Sequence, residues 1–518
     1  MRLLYVLSLP LTVITLFAQT PVSPAPSSTS SQQPPAVGYA APLFNATTRN
    51  VVLDAVVTDK KGNVVTGLTR KDFVIREDNT PQEIRSFDAV TAGASTDATP
   101  HTILLIDELN THFQDMVYAQ YSVDRLLRRD GTKLQQPTAL YLLTNNGLRV
   151  LQPYTRDSAA IDAAFRSYRP ILSWRLRPNV YLGMERINIS MSALQQIAIA
   201  STGVPGHKNI VWISPGLPIF SALQMSGDGE KQLFDSIRHL SDQLLKARIS
   251  IYSVDPRGVE GNFAPTNFAS NNFAYAAYLS GLTQANDAAF GNLAIQTLAT
   301  QTGGHAFYGR NDVDREIATS LTDGNTYYTL AYSPANKDFH GEFRKIKISV
   351  IHRPDLKVQT RDGYYAMPDN QTVDPKRELQ ELAGSLFTPI PFNGIPIPIS
   401  YTRLVKSPAP HITVRFVVPS ASLSWTPDAK GRFSAQITIV AADRGKHGKP
   451  GAWKPSMLHA YTASLPDGTA PSAATQTSIN FEMPYRDSDH VRFVVRDDAS
   501  GRVGSSEIKV SSAFVGAS

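Results

Sequence analysis

The chain has 518 residues, no cysteine and a formal charge of +6 from 50 Lys and Arg against 44 Asp and Glu. The lack of cysteine excludes disulfides, cysteine-ligated zinc, iron–sulfur clusters, a cysteine nucleophile and an N-terminal lipoprotein anchor. The charge is spread thinly, with no long cationic run, so no nucleic-acid surface is expected; phosphate binding needs clustered Lys and Arg.

Met1-Arg2 followed by the apolar run Leu3 to Phe17 and the small Ala18 reads as a secretory signal peptide over residues 1–18. The run is shorter than the roughly 20 apolar residues that span a bilayer. No later segment is apolar enough to span, so the mature protein is expected to be exported, periplasmic or extracellular, with no membrane span. Residues 19–43 are dominated by Pro, Ser, Thr and Ala and read as a disordered spacer.

Val51 to Asp59 is rich in β-branched residues, and Phe73 to Glu77 and Glu83 to Phe87 continue the strand pattern. Residues 44–97 are therefore expected to form the first half of a β-sandwich. Residues 98–323 then alternate. Strands are expected at Ile103–Ile106, Ala139–Leu143, Ile210–Ile213, Ile249–Val254 and His305–Tyr308. Helical spacing appears in Met116, Ala119, Val123, Leu126 and Leu127, and again in Leu233, Ile237, Leu240 and Leu244. This alternation predicts an α/β fold with a doubly wound parallel sheet and right-handed crossovers.

The β pattern returns over 324–367 (Tyr327–Tyr332, Lys345–Val350, Lys357–Tyr364) and is expected to complete the first sandwich, making the α/β domain an insertion. Two separate β subdomains are the alternative. Residues 368–395 are Pro-rich and read as a linker. Residues 396–518 carry strands between Gly- and Asp-rich turns and read as a C-terminal immunoglobulin-like β-sandwich with no constellation of catalytic residues.

The most informative stretch runs from Ile103 to Thr111. Four apolar residues form a buried strand that ends in Asp107-Glu108-Leu109-Asn110-Thr111. Ligands of open α/β sheets bind beyond the carboxyl ends of strands, which places Asp107 and Thr111 where chemistry occurs. Capping of exposed backbone N–H groups is the structural alternative for these side chains.

With Val57 to Gly62, Gly67 to Phe73, Lys208 to Gly216, Thr302 to Tyr308 and Tyr327 to Leu330, this stretch resembles the VWFA-related family described from acidobacteria, over most of the mature chain. The resemblance implies a von Willebrand factor A (vWA)-like domain. It also implies a Mg²⁺ site built from an Asp and two hydroxyls of the first loop, a Thr of the second and an Asp of the third. Asp107 and Thr111 match, but Leu109 has no side-chain oxygen. No Gly-x-Thr occurs between Tyr168 and Ser192, and Ser214-Pro215-Gly216 stands where the third-loop acid belongs. A degenerate, metal-free site without cofactor is expected, with a weakly bound divalent cation at Asp107 and Thr111 as the alternative.

Other candidates are weaker. Ser214 lacks the Gly-x-Ser-x-Gly elbow of hydrolases, and no His-Glu-x-x-His motif occurs. Gly303-Gly304 reads as a tight turn, and Asp255 as the partner of Arg257. The long segment Val259 to Phe290 carries Phe263, Phe268, Phe273, Tyr275 and Tyr278 and suits protein recognition, although a small helical insertion fits as well. The expected function is non-enzymatic: binding of another exported or envelope protein, ahead of a glycan. The expected contact is a rim of Asp107, Glu108, Asn110, Ser214 and Asp255 with those aromatics.

Overall fold

The computed structural model describes residues 50–518 apart from 91–98, 130–132, 172, 177–179, 203, 205, 217–226, 258–297, 300, 308–310, 324–325, 369–381, 383, 406–408, 446–453, 473, 486–487 and 511–518. The expected signal peptide and spacer, and the aromatic positions Phe263, Phe268, Phe273, Tyr275 and Tyr278, lie outside the described residues. The fold is mixed α/β, and the described strands form five sheets.

Strands β1 (Val51–Thr58), β2 (Phe73–Glu77), β3 (Thr80–Gln82) and β4 (Ile84–Val90) open the described chain. They pair with strands far along it: β11 (Tyr327–Tyr332), β12 (Phe343–Val350), β13 (Lys357–Gln359) and β14 (Gly363–Tyr365). The two sheets run β13-β1-β11-β4 and β14-β12-β2-β3, with all their pairs antiparallel. Alternation explains their shared core: β12 buries Ile346, Ile348 and Val350 at every second position, against Leu53, Ile75 and Tyr328.

Between these partners lies the six-stranded sheet, in the order β10-β9-β8-β5-β6-β7. It contains β5 (His101–Asp107), β6 (Lys133–Thr144), β7 (Gly147–Asp157), β8 (Lys208–Ile213), β9 (Ile249–Val254) and β10 (Ala306–Phe307). Every pair is parallel except β6–β7. The wholly parallel sheet expected from sequence therefore carries an antiparallel edge strand. Pro153 and the charged Arg149 and Arg156 in β7 suit an edge, where one side of the ladder faces no partner.

Both faces of this sheet are covered. Ile103, Leu105, Ile210 and Trp212 join one cluster with residues of α3 (Val180–Ser201) and α4 (Gly227–Lys246). Leu104, Ile106, Val211 and Ile213 join the other, with α1 (Phe113–Arg129), α2 (Ser158–Ser167) and α5 (Val313–Asp323). Such strands read as unbroken apolar runs because both sets of side chains are buried. Truncating Leu105, which is fully buried, to Ala is worth about 2–5 kcal/mol. Gly304 before β10 is obligatory, because a Cβ there would stand 1.9 Å from the Ile251 carbonyl oxygen.

The last strands form two antiparallel sheets over a common core. β15 (Ile399–Val405), β16 (His411–Pro419) and β20 (Gln476–Pro484) make one. β17 (Thr426–Pro427), β18 (Phe433–Gly445), β19 (Lys454–Ser464), β21 (Ser488–Asp497) and β22 (Val503–Lys509) make the other. Phe416, Phe481 and Phe493 meet between them in edge-to-face pairs. Part of the segment expected as a linker is packed: Leu382, Leu386, Ile390 and Phe392 are buried beside Tyr365 and Val494. Arg492 donates to the Ile390 carbonyl at 2.8 Å. Leu382, Leu386 and Ile390 recur at every fourth position, a helical spacing that the flanking prolines mask in the sequence pattern.

Candidate functional site

The sheet order puts β6 on one side of β5 and β8 on the other, so the carboxyl end of β5 is a topological switch point. Asp107 is the last residue of β5 and is fully buried. Its carboxylate accepts four hydrogen bonds from the protein. Oδ1 accepts from the Asn110 backbone N–H at 2.9 Å. Oδ2 accepts from Asn110 Nδ2 at 2.9 Å, Trp212 Nε1 at 3.1 Å and Ser214 Oγ at 2.6 Å. Burial raises the Asp107 carboxyl above the usual range, and these donors, all neutral, only partly oppose it.

Residues of β8 complete this network by strand geometry. Trp212 and Ser214 are two positions apart and so reach the same side of the sheet. On α3, Arg186 and Ser190 are one turn apart on one face. Arg186 Nη1 donates to Asn110 Oδ1 at 3.2 Å, and Asn110 Nδ2 donates to Ser190 Oγ at 3.1 Å. The segment expected to supply a second ligand loop thus supplies a helix with a guanidinium and a hydroxyl. Trp212, Arg186 and Ser190 are absent from the expected site. The period-2 and period-4 spacings were the available signals for them.

The remaining positions separate by environment. Glu108 is buried and accepts from the Ile171 N–H at 3.2 Å; burial lifts its carboxyl. Leu109 is fully buried and faces the core, not the site, packing with Leu105 and Leu143. Thr111 Oγ1 is buried without a hydrogen-bond partner among the described residues. Asp255 follows β9 and is gripped by Arg257, through the backbone N–H at 3.0 Å, Nε at 3.0 Å and Nη2 at 2.6 Å. Arg257 also donates to the Pro215 carbonyl at 3.1 Å, which ties the ends of β8 and β9 together.

The structure therefore brings Asp107, Asn110 and Ser214 together but offers none of them as a surface. Asp107, Glu108, Asn110, Ser214 and Asp255 are each at most 3% exposed. This corrects the expectation of a contact rim made of these five side chains: their polar atoms are spent on internal hydrogen bonds. The site also fails the fit to a divalent cation. A hard cation needs several free oxygens, whereas the Asp107 oxygens are taken by N–H and O–H donors, and position 109 faces the core. Among the described residues no group of three or more His, Cys, Asp or Glu is arranged to hold a metal. Ser214 donates to a carboxylate and is fully buried, which is unlike an activated nucleophile.

No protein-family model and no curated protein matches the chain. Among solved structures it has a weak likeness to the SpRpn10 VWA domain, at 12% identity and a TM-score of 0.16, over 31% of this chain and 89% of that one. It is also weakly similar to a beta-glucosidase from Listeria innocua in complex with isofagomine, at 10% identity and a TM-score of 0.13, over 82% of this chain and 48% of that one. Scores this low leave the reading of the site to its own geometry. No helix among the described residues is long and apolar enough to cross a membrane.

Proposed function

We propose that this is an exported, non-enzymatic protein-interaction protein with a vWA-like domain of the VWFA-related kind, set within a β-sandwich and followed by a second sandwich. In it a side-chain network replaces the metal. One observation carries the reading: the Asp107 carboxylate is saturated by Asn110, Trp212 and Ser214. A carboxylate held this way fixes the switch-point loop as a cation does elsewhere, but it needs no ion. The long-range pairing of β1 with β11 and of β2 with β12 supports the inserted arrangement. The partner is another exported or envelope protein, ahead of a glycan. It meets the exposed side chains beside the buried network, among them Phe113 at 50% and Ile171 at 65% exposure.

A divalent-cation module is the rival, and the unpartnered Thr111 hydroxyl favours it. Crosslinking and mass spectrometry on the native envelope, with and without EDTA, separates the two. The same crosslinked partner in both conditions is expected. A partner lost with EDTA supports the rival, and the absence of any crosslinked protein overturns the interaction reading.

A further inference from the structure

The exposed apolar residues near the site do not stop at Phe113. Phe113, Val117 and Tyr121 recur every four residues on α1, so they form one ridge along the helix, and they are 50%, 46% and 57% exposed. A soluble helix normally turns such a stripe toward a core, yet the core side of α1 is already supplied by Met116, Ala119, Val123 and Leu126. The stripe is a second apolar face.

Beside it, α1 and the end of α2 enclose an open groove of about 390 Å³, with Val117 and Tyr121 on one wall and Tyr168 and Arg169 on the other. Its charge is unbalanced. Three guanidinium groups line it, on Arg128, Arg166 and Arg169, against the carboxylate of Asp124. Asp162 pairs with Arg166 at 2.8 Å from outside the groove lining, which leaves Arg169 as the excess cation. Asp124 is shared between Arg128 at 3.0 Å and Arg166 at 2.8 Å. Arg169 is exposed and, among the described residues, hydrogen-bonds to the backbone carbonyls of Arg166 and Tyr168 and to no carboxylate. A second signal lies in the same wall: Tyr168 is 6% exposed, and its hydroxyl is buried with no hydrogen-bond partner among the described residues. A buried hydroxyl left unpaired is costly, and an incoming acceptor removes that cost.

From this juxtaposition we propose that the α1–α2 groove is a docking site for an acidic segment of a partner protein, an extended or helical peptide with an apolar anchor flanked by Asp or Glu. The anchor lies on Val117 and Tyr121, and the carboxylate pairs with Arg169, whose planar fork suits bidentate contact. Unlike arginines already paired to Asp124, Arg169 gives up no ion pair on binding. The proposal rests on the protein-binding reading above and adds the place and chemistry of the contact.

The test is selection of peptides from a random dodecapeptide phage library on the immobilised full chain, followed by affinity measurement of the enriched peptides. The expected consensus pairs an aromatic or aliphatic residue with Asp or Glu. Arg169→Glu is expected to weaken such peptides at least tenfold, and exchange of the peptide acid for Lys restores binding to that variant. Val117→Ser at the exposed ridge weakens the same peptides several-fold while the circular dichroism spectrum stays unchanged. Enriched peptides that are indifferent to both substitutions overturn this site and leave the protein-binding reading standing. A concentration-dependent dimer abolished by Val117→Ser, with no peptide enriched, also overturns the proposal in favour of self-association. No enrichment and no dimer overturns it as well, and crosslinking on the native envelope then decides the broader reading separately.

Discussion

Two aspartates, Asp107 fully buried and Asp54 half-buried, sit at opposite ends of the six-stranded sheet's neighbourhood, and the sequence around them treats them differently. Asp107, at the carboxyl end of β5, is held by an amide side chain, an indole, a hydroxyl and a backbone N–H. Asp54, in β1, is held by a guanidinium, Arg248 Nε at 3.1 Å and Nη2 at 2.5 Å, together with His207 Nδ1 at 2.8 Å and Thr329 Oγ1 at 2.8 Å. Burial works to raise both carboxyls. At Asp54, His207 and Arg248 outweigh it and hold the group well below the usual carboxylate range; at Asp107 burial wins. The same residue type is thus an ion-pair partner in one place and a neutral-donor anchor in the other.

The local structure around Asp54 explains why a cation is available there. Helix α4 runs out at Lys246, and Arg248 adopts a left-handed conformation at φ 54°, which closes the helix and turns its guanidinium onto β1. His207, just before β8, donates its backbone N–H to the Tyr327 hydroxyl of β11 at 3.2 Å. Asp54 therefore joins the start of β8 and the end of α4 to the long-range strand pair β1–β11. Among the described residues no cation hydrogen-bonds to Asp107; Arg186 is linked to it through Asn110.

The largest expected effect breaks the cationic site. Asp54→Ala leaves Arg248 without its carboxylate in a largely buried setting and is expected to cost about 3–5 kcal/mol, read by urea denaturation. Lys208 comes next. It is 2% exposed, and burial, then Arg248, pull its ammonium down to about 7 against the opposing pull of Asp54. The unfolded chain then binds more protons than the folded one between about 7 and the ordinary value of 10.5, so this group's contribution to stability rises with pH across that window. Lys208→Met is expected to remove that rise, seen as melting temperature against pH.

A smaller effect belongs to the neutral-donor site. Asp107→Asn replaces one acceptor oxygen by a donor facing other donors, and a loss of about 1–3 kcal/mol is expected in the same urea assay. The two aspartates also give opposite pH slopes. Asp54 contributes stability above the ordinary carboxyl value of 3.8 that is lost as pH falls through its lower folded value. For Asp107 the folded value is raised, so its contribution is fullest below 3.8 and declines as pH rises through the folded value. Denaturation curves of Asp54→Asn and Asp107→Asn across the acid range should therefore diverge from the parent chain in opposite directions.

Much of the element pattern was legible because burial on two faces leaves a strong mark. The run Ile103–Ile106 predicts a strand that the structure extends to His101–Asp107, and the spacing of Met116 to Leu127 predicts the helix found at Phe113–Arg129. The edge strand β7 escaped because Pro153 and its charged residues mask a strand that is buried on neither face along most of its length. The site was legible only in part. Asp107, Asn110 and Ser214 were named and do meet, but their burial was not visible, because a saturated carboxylate and a free one have the same sequence. The donors Trp212 and Arg186 arrive from other elements, 105 residues away for Trp212 and 76 from Asn110 for Arg186. Pairing across such separations is fixed by the sheet order, which local pattern does not reveal.

In the proposed reading, protein donors take the place of a metal at the Asp107 carboxylate. Calorimetric titration of the mature protein with Mg²⁺, Mn²⁺ and Ca²⁺, paired with melting curves at millimolar metal, tests it most directly. No saturable heat and no shift in melting temperature are expected. A saturable heat with a raised melting temperature, both lost in Asp107→Asn, would contradict it.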